Sequence, residues 1–171
     1  MILIGQGMAL VNAYRTGATS SIPIPHTGTL RHRMTVALSA ALGPSDRGVR
    51  RFRIDRIIPA PSDPSRKDVS VTWAINSDLT WGTLGNGAQV DAYIILRTLY
   101  DSGFPVARVN LTGTYTTHTH HESVVMRLAM PRRVDRLLKQ AGGWNEYDAG
   151  SVWPLIHRIW VNPDFQPQSA E

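Results

Sequence analysis

Three histidines, His118, His120 and His121, are the side chains best suited to bind a metal ion. In an extended chain His118 and His120 point to the same side, and two imidazoles at this spacing can share an ion such as zinc. A third ligand must come from elsewhere in the chain. Candidates for it are an aspartate and three further histidines: His26, His32 and His157. A metal-dependent enzyme is therefore one hypothesis, although we favour a polar hairpin turn that happens to contain histidine.

A cluster of arginines indicates a second kind of chemistry, the binding of anions. The four residues are Arg50, Arg51, Arg53 and Arg56. They belong to residues 1–68, which hold 10 basic and 4 acidic side chains in a chain of net charge +5. A basic patch attracts nucleic acid, anionic lipid or an acidic partner. Cytoplasmic nucleic-acid binding through this strand is thus an alternative hypothesis, and a solvated strand face followed by a loop is the interpretation that we favour.

The remaining motifs predict no catalytic residue and no cofactor. Residues 82–87 are rich in glycine, but they match neither the dinucleotide-binding nor the P-loop pattern, and we interpret them as a flexible loop. The chain has no cysteine and no serine nucleophile elbow. Asp91 is expected in the first turn of a helix, where its charge would favour the helix dipole.

Hydrophobic periodicity predicts the elements that must position these groups. Helical spacing begins after Thr29, a candidate N-cap, and continues to Leu42. Period-two alternation marks strands at residues 52–54, 69–75, 109–115 and 124–130, and further helices are expected at residues 89–102 and after Pro131. The order α-β-β-α-β-β-α predicts a single α+β domain with a four-stranded, mostly antiparallel sheet and helices on one face. Trp73 is expected to be buried on the inner face.

The domain boundaries follow from composition. Residues 1–29 are predicted to be an arm or linker, residues 30–165 the single α+β domain, and residues 166–171 a frayed tail. The chain has no apolar run of 18 residues, so we expect no transmembrane segment. Its first ten residues, MILIGQGMAL, make a poor signal peptide, but an export segment could precede this chain.

Three strings in the sequence resemble parts of an uncharacterised α+β domain. Residues 71–80 read VTWAINSDLT and lead into a helix, residues 109–115 read VNLTGTY, and residues 159–165 read IWVNPDF. The chain resembles, over residues 30–165, a domain of lipoproteins and other exported proteins of Gram-positive bacteria and their mobile elements. That domain ends in W-x-H-P-x-F, and Asn162 stands where its histidine is expected. The chain also departs from it in lacking a lipid-anchor cysteine and a clear export signal.

The resemblance implies an exported module that binds or supports something at the cell envelope. The leading hypothesis is therefore a non-enzymatic binding or interaction module, with an unknown protein or envelope component as its partner. Its location is extracellular or at the cell envelope if an export segment precedes the chain, and cytoplasmic otherwise. The metal-dependent enzyme and the nucleic-acid binder remain the alternatives.

Overall fold

A mixed five-stranded sheet with helices packed against it forms a single α+β domain. The computed structural model describes residues 24–46, 48–75, 81–116, 122–144, 147–156 and 158–165. The strands are β1 (Ser45–Asp46), β2 (Val49–Arg50), β3 (Phe52–Ala60), β4 (Asp63–Ala74), β5 (Val106–Thr116), β6 (Glu122–Pro131) and β7 (Arg158–Val161). The described helices are α1 (Leu30–Leu42), α2 (Trp81–Asp101), α3 (Arg132–Gln140) and α4 (Ala149–Val152). The predicted arm and tail fall largely outside these residues and stay predictions.

The strands of the main sheet follow one another in sequence order, from β3 to β7. Neighbours pair antiparallel except β4 and β5, which are parallel and are connected through α2. β1 and β2 form a separate small hairpin. A parallel pair needs a long crossover connection, and α2 supplies it. The mostly antiparallel sheet is confirmed, and the predicted elements follow one another as expected, with β1, β2, α4 and β7 in addition.

The sheet has one strand more than the four that were predicted. β7 pairs antiparallel with β6, with Ile159 opposite Leu128. The sequence predicts a strand-like segment in this region that covers the core, and the count of four was wrong because four residues between tryptophans and prolines do not show that they pair with β6.

Helix α1 forms as its sequence predicts. The Thr29 hydroxyl accepts a hydrogen bond from the backbone N–H of His32 at 3.2 Å, which confirms Thr29 as the N-cap. The residues that α1 buries are Met34, Ala37, Leu38 and Ala41.

Helix α2 begins at Trp81, well before the predicted start, and so includes the glycines that we interpreted as a loop. Glycine lowers helix propensity by about 1 kcal/mol, but packing overrides propensity. Here Ala88 is buried, and further along the helix Ala92, Ile95 and Leu99 are fully buried. The loop prediction for residues 82–87 is therefore wrong. None of the described helices is both long and apolar enough to cross a membrane.

The core lies between the helices and one face of the sheet. Val69, Val71 and Trp73 of β4 point into it, and Trp73 is fully buried, as predicted. Gly113 of β5 lies directly opposite Trp73. A Cβ atom at Gly113 would lie only 2.8 Å from two ring carbons of Trp73, so the indole occupies the space that a larger side chain would need.

Candidate binding face

The face of the sheet opposite the core carries polar and charged side chains, and we call it the open face. Two rows of directly paired residues cross it. The Arg53 row consists of Arg53, Thr72, Thr112, Arg127 and Trp160. The Arg56 row consists of Arg56, Ser70, Asn110, Ala129 and Arg158. Each row spans about 19 Å, because adjacent strands lie about 4.8 Å apart.

Positive charge dominates the open face. Its acidic residues are Asp55 and Asp68, with Glu122 at the start of β6 close enough for its charge to act on Arg53, and arginines outnumber them. These arginines are Arg53, Arg56, Arg108, Arg127 and Arg158. Four of them form no ion pair with any residue that the structure describes: Arg56, Arg108, Arg127 and Arg158. The open face therefore has a charge surplus that an anionic ligand can neutralise.

Asp55 organises the β3 side of the open face. It lies at a bulge in β3 and accepts hydrogen bonds from Arg53 Nε at 2.5 Å and from Thr72 Oγ1 at 2.6 Å. The hydrogen bond and charge of Asp55 raise the pKa of the Arg53 guanidinium, which therefore stays cationic. The Arg53 side chain remains 65% exposed, so it can still contact a ligand.

A shallow depression lies at the other side of the open face, over β5, β6 and β7. Its volume is about 440 Å³. Strand residues alone line it, and the polar ones are Asn110, Thr112, Arg127 and Arg158. It therefore includes residues of both rows, with Arg127 from the Arg53 row and Arg158 from the Arg56 row.

Trp160 forms one wall of this depression and is 45% exposed. The guanidinium carbon of Arg127 lies over its indole ring, 5.5 Å from the ring centroid. This cation–π contact holds the guanidinium over one face of the indole on the open face. Both an indole ring and a guanidinium plane can stack on an aromatic ligand group.

The structure separates the four arginines of the predicted basic strand. Arg53 and Arg56 lie on the open face. Arg50 is exposed but belongs to β2, outside the main sheet. Arg51 is buried and turns toward α2. The four side chains therefore do not form one patch, and the open face brings two of them together with arginines from β5, β6 and β7.

Arg51 ties the start of β3 to the middle of α2. Its guanidinium donates to both carboxylate oxygens of Asp91, each at 3.0 Å. The two side chains are only 11% and 13% exposed. Asp91 is therefore not in the first turn of the helix, as we expected, because α2 begins ten residues earlier than Asp91. The pair supports the fold rather than a ligand.

The predicted metal ligands His118, His120 and His121 lie outside the described residues, between β5 and β6. Within the described part of the chain, no group of three or more histidine, aspartate or glutamate side chains is arranged to hold a metal ion. The metal hypothesis therefore stays a prediction.

A buried polar cluster lies on the helix side of the sheet. The Asp135 carboxylate is fully buried; its Oδ1 accepts a hydrogen bond from Trp144 Nε1 at 2.9 Å and lies 3.3 Å from Lys139 Nζ. The Tyr100 hydroxyl donates to the Met130 carbonyl at 2.5 Å. Burial raises the pKa of this hydroxyl, which therefore stays protonated. Lys139 Nζ also donates to the Tyr100 carbonyl at 3.1 Å, so these contacts join α2, α3 and β6, and we assign them to the fold.

Sequence reasoning missed most of the open face. The polar residues that alternate with buried ones on β4, β5 and β6 were visible as a pattern, for example Ser70 and Thr72 between Val69, Val71 and Trp73. Their alignment into rows depends on which strands pair and in which register, and the sequence pattern alone does not predict this. Trp160 was missed because the strand-like segment that includes it was expected to cover the core and not to pair with β6.

Comparison of the chain with protein-family models, with curated proteins and with solved structures gives no match. The resemblance of the sequence to an exported α+β domain therefore remains an expectation.

Proposed function

We propose that this chain is a non-enzymatic binding module whose open face holds an anionic ligand. The observation that carries the proposal is the pair of rows that cross all five strands with an arginine on each side of their polar centre. Helices on one face of the sheet leave the other face to a ligand. A flat, hydrogen-bonding surface with surplus positive charge suits the binding of an extended anion.

The centre of each row supports this proposal. Between the arginines of the two ends lie small side chains with hydroxyl or amide groups: Ser70, Thr72, Asn110 and Thr112. Such groups donate and accept hydrogen bonds without blocking access to the backbone. A ligand can therefore lie across the middle of the sheet while its charges reach the arginines on either side.

Retention on immobilised heparin tests the proposal. Replacing Arg127 and Arg158 by glutamine removes two charges from the open face while the strands stay intact. We expect this double variant to elute at clearly lower salt than the unchanged chain, because fewer anionic groups of the matrix are bound.

The matched control removes the same charge from elsewhere. Arg133 and Arg136 are exposed on α3, on the other side of the sheet, and their double glutamine variant has the same net charge. We expect this control to elute close to the unchanged chain. Equal shifts in both double variants would mean that net charge alone drives retention, and the open face would lose its role.

The cell envelope is the location that we propose, on the ground of the resemblance. Fractionation of cells that express the full-length gene product, with protease accessibility on intact cells, tests it. Protection from protease together with recovery in the soluble fraction would contradict an envelope location. The location and the ligand are separate claims, and the heparin experiment tests only the ligand.

A further inference from the structure

We propose that the anionic ligand of the open face is a single strand of nucleic acid. The inference rests on the proposed anion-binding function and names its ligand class. Three properties of the open face carry it: the length of its rows, the pair of flat side chains at one end, and the exclusion of other occupants by charge and width.

The length of the rows fits a short stretch of a phosphate chain. Each row spans about 19 Å, and a stacked strand carries one phosphate per about 3.4 Å of helix axis, so the row is long enough for about five phosphates. Arginines stand at both ends of the Arg56 row, at Arg56 and Arg158, and flank the hydrogen-bonding centre of the Arg53 row, at Arg53 and Arg127. A repeating chain of phosphates can contact both ends at once, whereas a small anion cannot.

The Trp160 and Arg127 pair favours a ligand that carries bases. The Trp160 indole is 45% exposed beside the depression, and the Arg127 guanidinium lies 5.5 Å from its ring centroid. Base stacking on aromatic and guanidinium planes is the usual way in which proteins hold single strands. A polyanion without aromatic groups would use the charge of Arg127 but would have no group to stack on the indole of Trp160.

The width of the face argues against duplex DNA. The major groove of the duplex is about 12 Å wide and admits a helix or a two-stranded ribbon. A sheet of five strands is wider than the groove, so its arginines and Trp160 could not reach base edges together. A single strand has no such restriction, because its bases are free to turn toward the sheet.

Charge argues against other occupants. In a symmetric dimer through the open face, the arginines of two copies would meet one another, because a two-fold interface brings the same patch together. The terminal segments of the chain do not supply the missing negative charge either. Residues 1–23 carry one arginine and no acidic residue, and residues 166–171 carry a single glutamate.

Fluorescence anisotropy with a labelled ten-nucleotide single strand tests the inference, with the duplex of the same sequence and inorganic polyphosphate of matched charge as competitors. We expect the unlabelled single strand to displace the probe at a lower concentration than the duplex or polyphosphate does. Trp160→Ala should weaken single-strand binding about 5- to 100-fold, and Trp160→Phe should restore most of it. Leu137→Ala on α3, which removes a side chain that is 58% exposed, should leave binding unchanged. Circular dichroism verifies that each variant is folded.

The salt dependence gives an independent readout. The affinity for a single strand falls with salt, and each lost phosphate contact should make the slope of log affinity against log salt less negative by about 0.7. Arg158→Gln should therefore make the slope less steep, and Trp160→Ala should leave it unchanged.

Each outcome separates the inference from the proposed function. Equal competition by polyphosphate, with no effect of Trp160→Ala, would overturn the inference and leave the anion-binding function standing. Preference for the duplex would also overturn it. A concentration-dependent dimer that Trp160→Ala abolishes would show a second copy as the occupant and overturn it too. Equal shifts of the two double variants on heparin, together with no binding of the oligonucleotide, would refute both claims.

Discussion

Replacing Gly113 by alanine tests the strand pairing that aligns the two rows of the open face. Gly113 lies opposite Trp73, and Thr112, its neighbour, lies opposite Thr72 on the other face. The added methyl group would approach two ring carbons of Trp73 to 2.8 Å and the Ile75 side chain to 3.1 Å. Optimal carbon contacts are about 3.5–4.0 Å, so the methyl group requires a shift of several tenths of an ångström.

The size of the effect follows from how little room the ring has to move. Trp73 is fully buried, and protein interiors are close-packed, so overpacking there costs about 1–3 kcal/mol. Replacing glycine in a strand gains about 0.5–1 kcal/mol in backbone entropy. We therefore expect Gly113→Ala to lower the free energy of unfolding by about 1–2 kcal/mol, and the melting temperature by about 2–8 °C.

Urea unfolding followed by far-ultraviolet circular dichroism measures this loss. The control is Gly150→Ala, because a Cβ atom there meets only an Asp148 oxygen at an ordinary 3.5 Å. It should leave stability unchanged or raise it by up to about 1 kcal/mol. The decisive comparison is Gly113→Ala in a Trp73→Leu background, where the ring is gone and the methyl group should be neutral or stabilising. The expected coupling is at least about 1 kcal/mol.

An equal loss in both backgrounds would refute this reasoning. It would mean that the methyl group at Gly113 does not meet the Trp73 ring, and that β4 and β5 pair in another register. The rows of the open face would then not exist as described. Trp73→Ala alone should cost about 3–5 kcal/mol, and a change below about 1 kcal/mol would contradict the burial of this side chain.

Three further predictions concern the fold and the metal hypothesis. Burial raises the pKa of the Tyr100 hydroxyl, so the folded chain keeps a proton that the unfolded chain releases near pH 10. The free energy of unfolding should therefore fall above about pH 10, and it should fall less steeply in Tyr100→Phe. Urea unfolding at several pH values measures both. Arg51→Met should lower the free energy of unfolding by about 1–3 kcal/mol, because it removes both hydrogen bonds from Arg51 to the buried Asp91 carboxylate. Adding Asp91→Leu to this variant should recover part of the loss, as thermal melts would show. If residues 118–121 form only a polar turn, purified untagged protein should contain no stoichiometric metal and its melting temperature should not change on adding zinc; a bound equivalent of metal would contradict that interpretation.

The elements that sequence reasoning predicted well are those whose pattern reports burial directly. The alternation of Val69, Val71 and Trp73 reflects the one buried face of β4, and the alternation at residues 52–54 likewise reflects the burial of Phe52 and Ile54 in β3. In α1, the Thr29 cap marked the start of the helix because its hydroxyl bonds the first turn locally. Such signals need no knowledge of distant residues.

The parts that it missed depend on contacts far apart in the chain. The start of α2 could not be predicted, because its glycines disfavour a helix that packing around Ala88 and the following residues stabilises. Arg51 could not be told from Arg53 by spacing, since its partner Asp91 lies 40 residues away. For the same reason, the joining of Arg127 with Trp160 on the open face required the pairing of β6 with β7.

Two hairpins, β3–β4 and β5–β6, are close in sequence, whereas the parallel pair between them joins residues such as Trp73 and Gly113 across the length of α2. Closing that long connection costs chain entropy before any contact repays it, so we expect the hairpins to form early and their docking to limit the folding rate. Ser70 and Thr72 lie on one side of this seam, and Asn110 and Thr112 on the other. Each half of the chain thus carries only half of the proposed binding surface, so we expect ligand binding only after this docking step is complete.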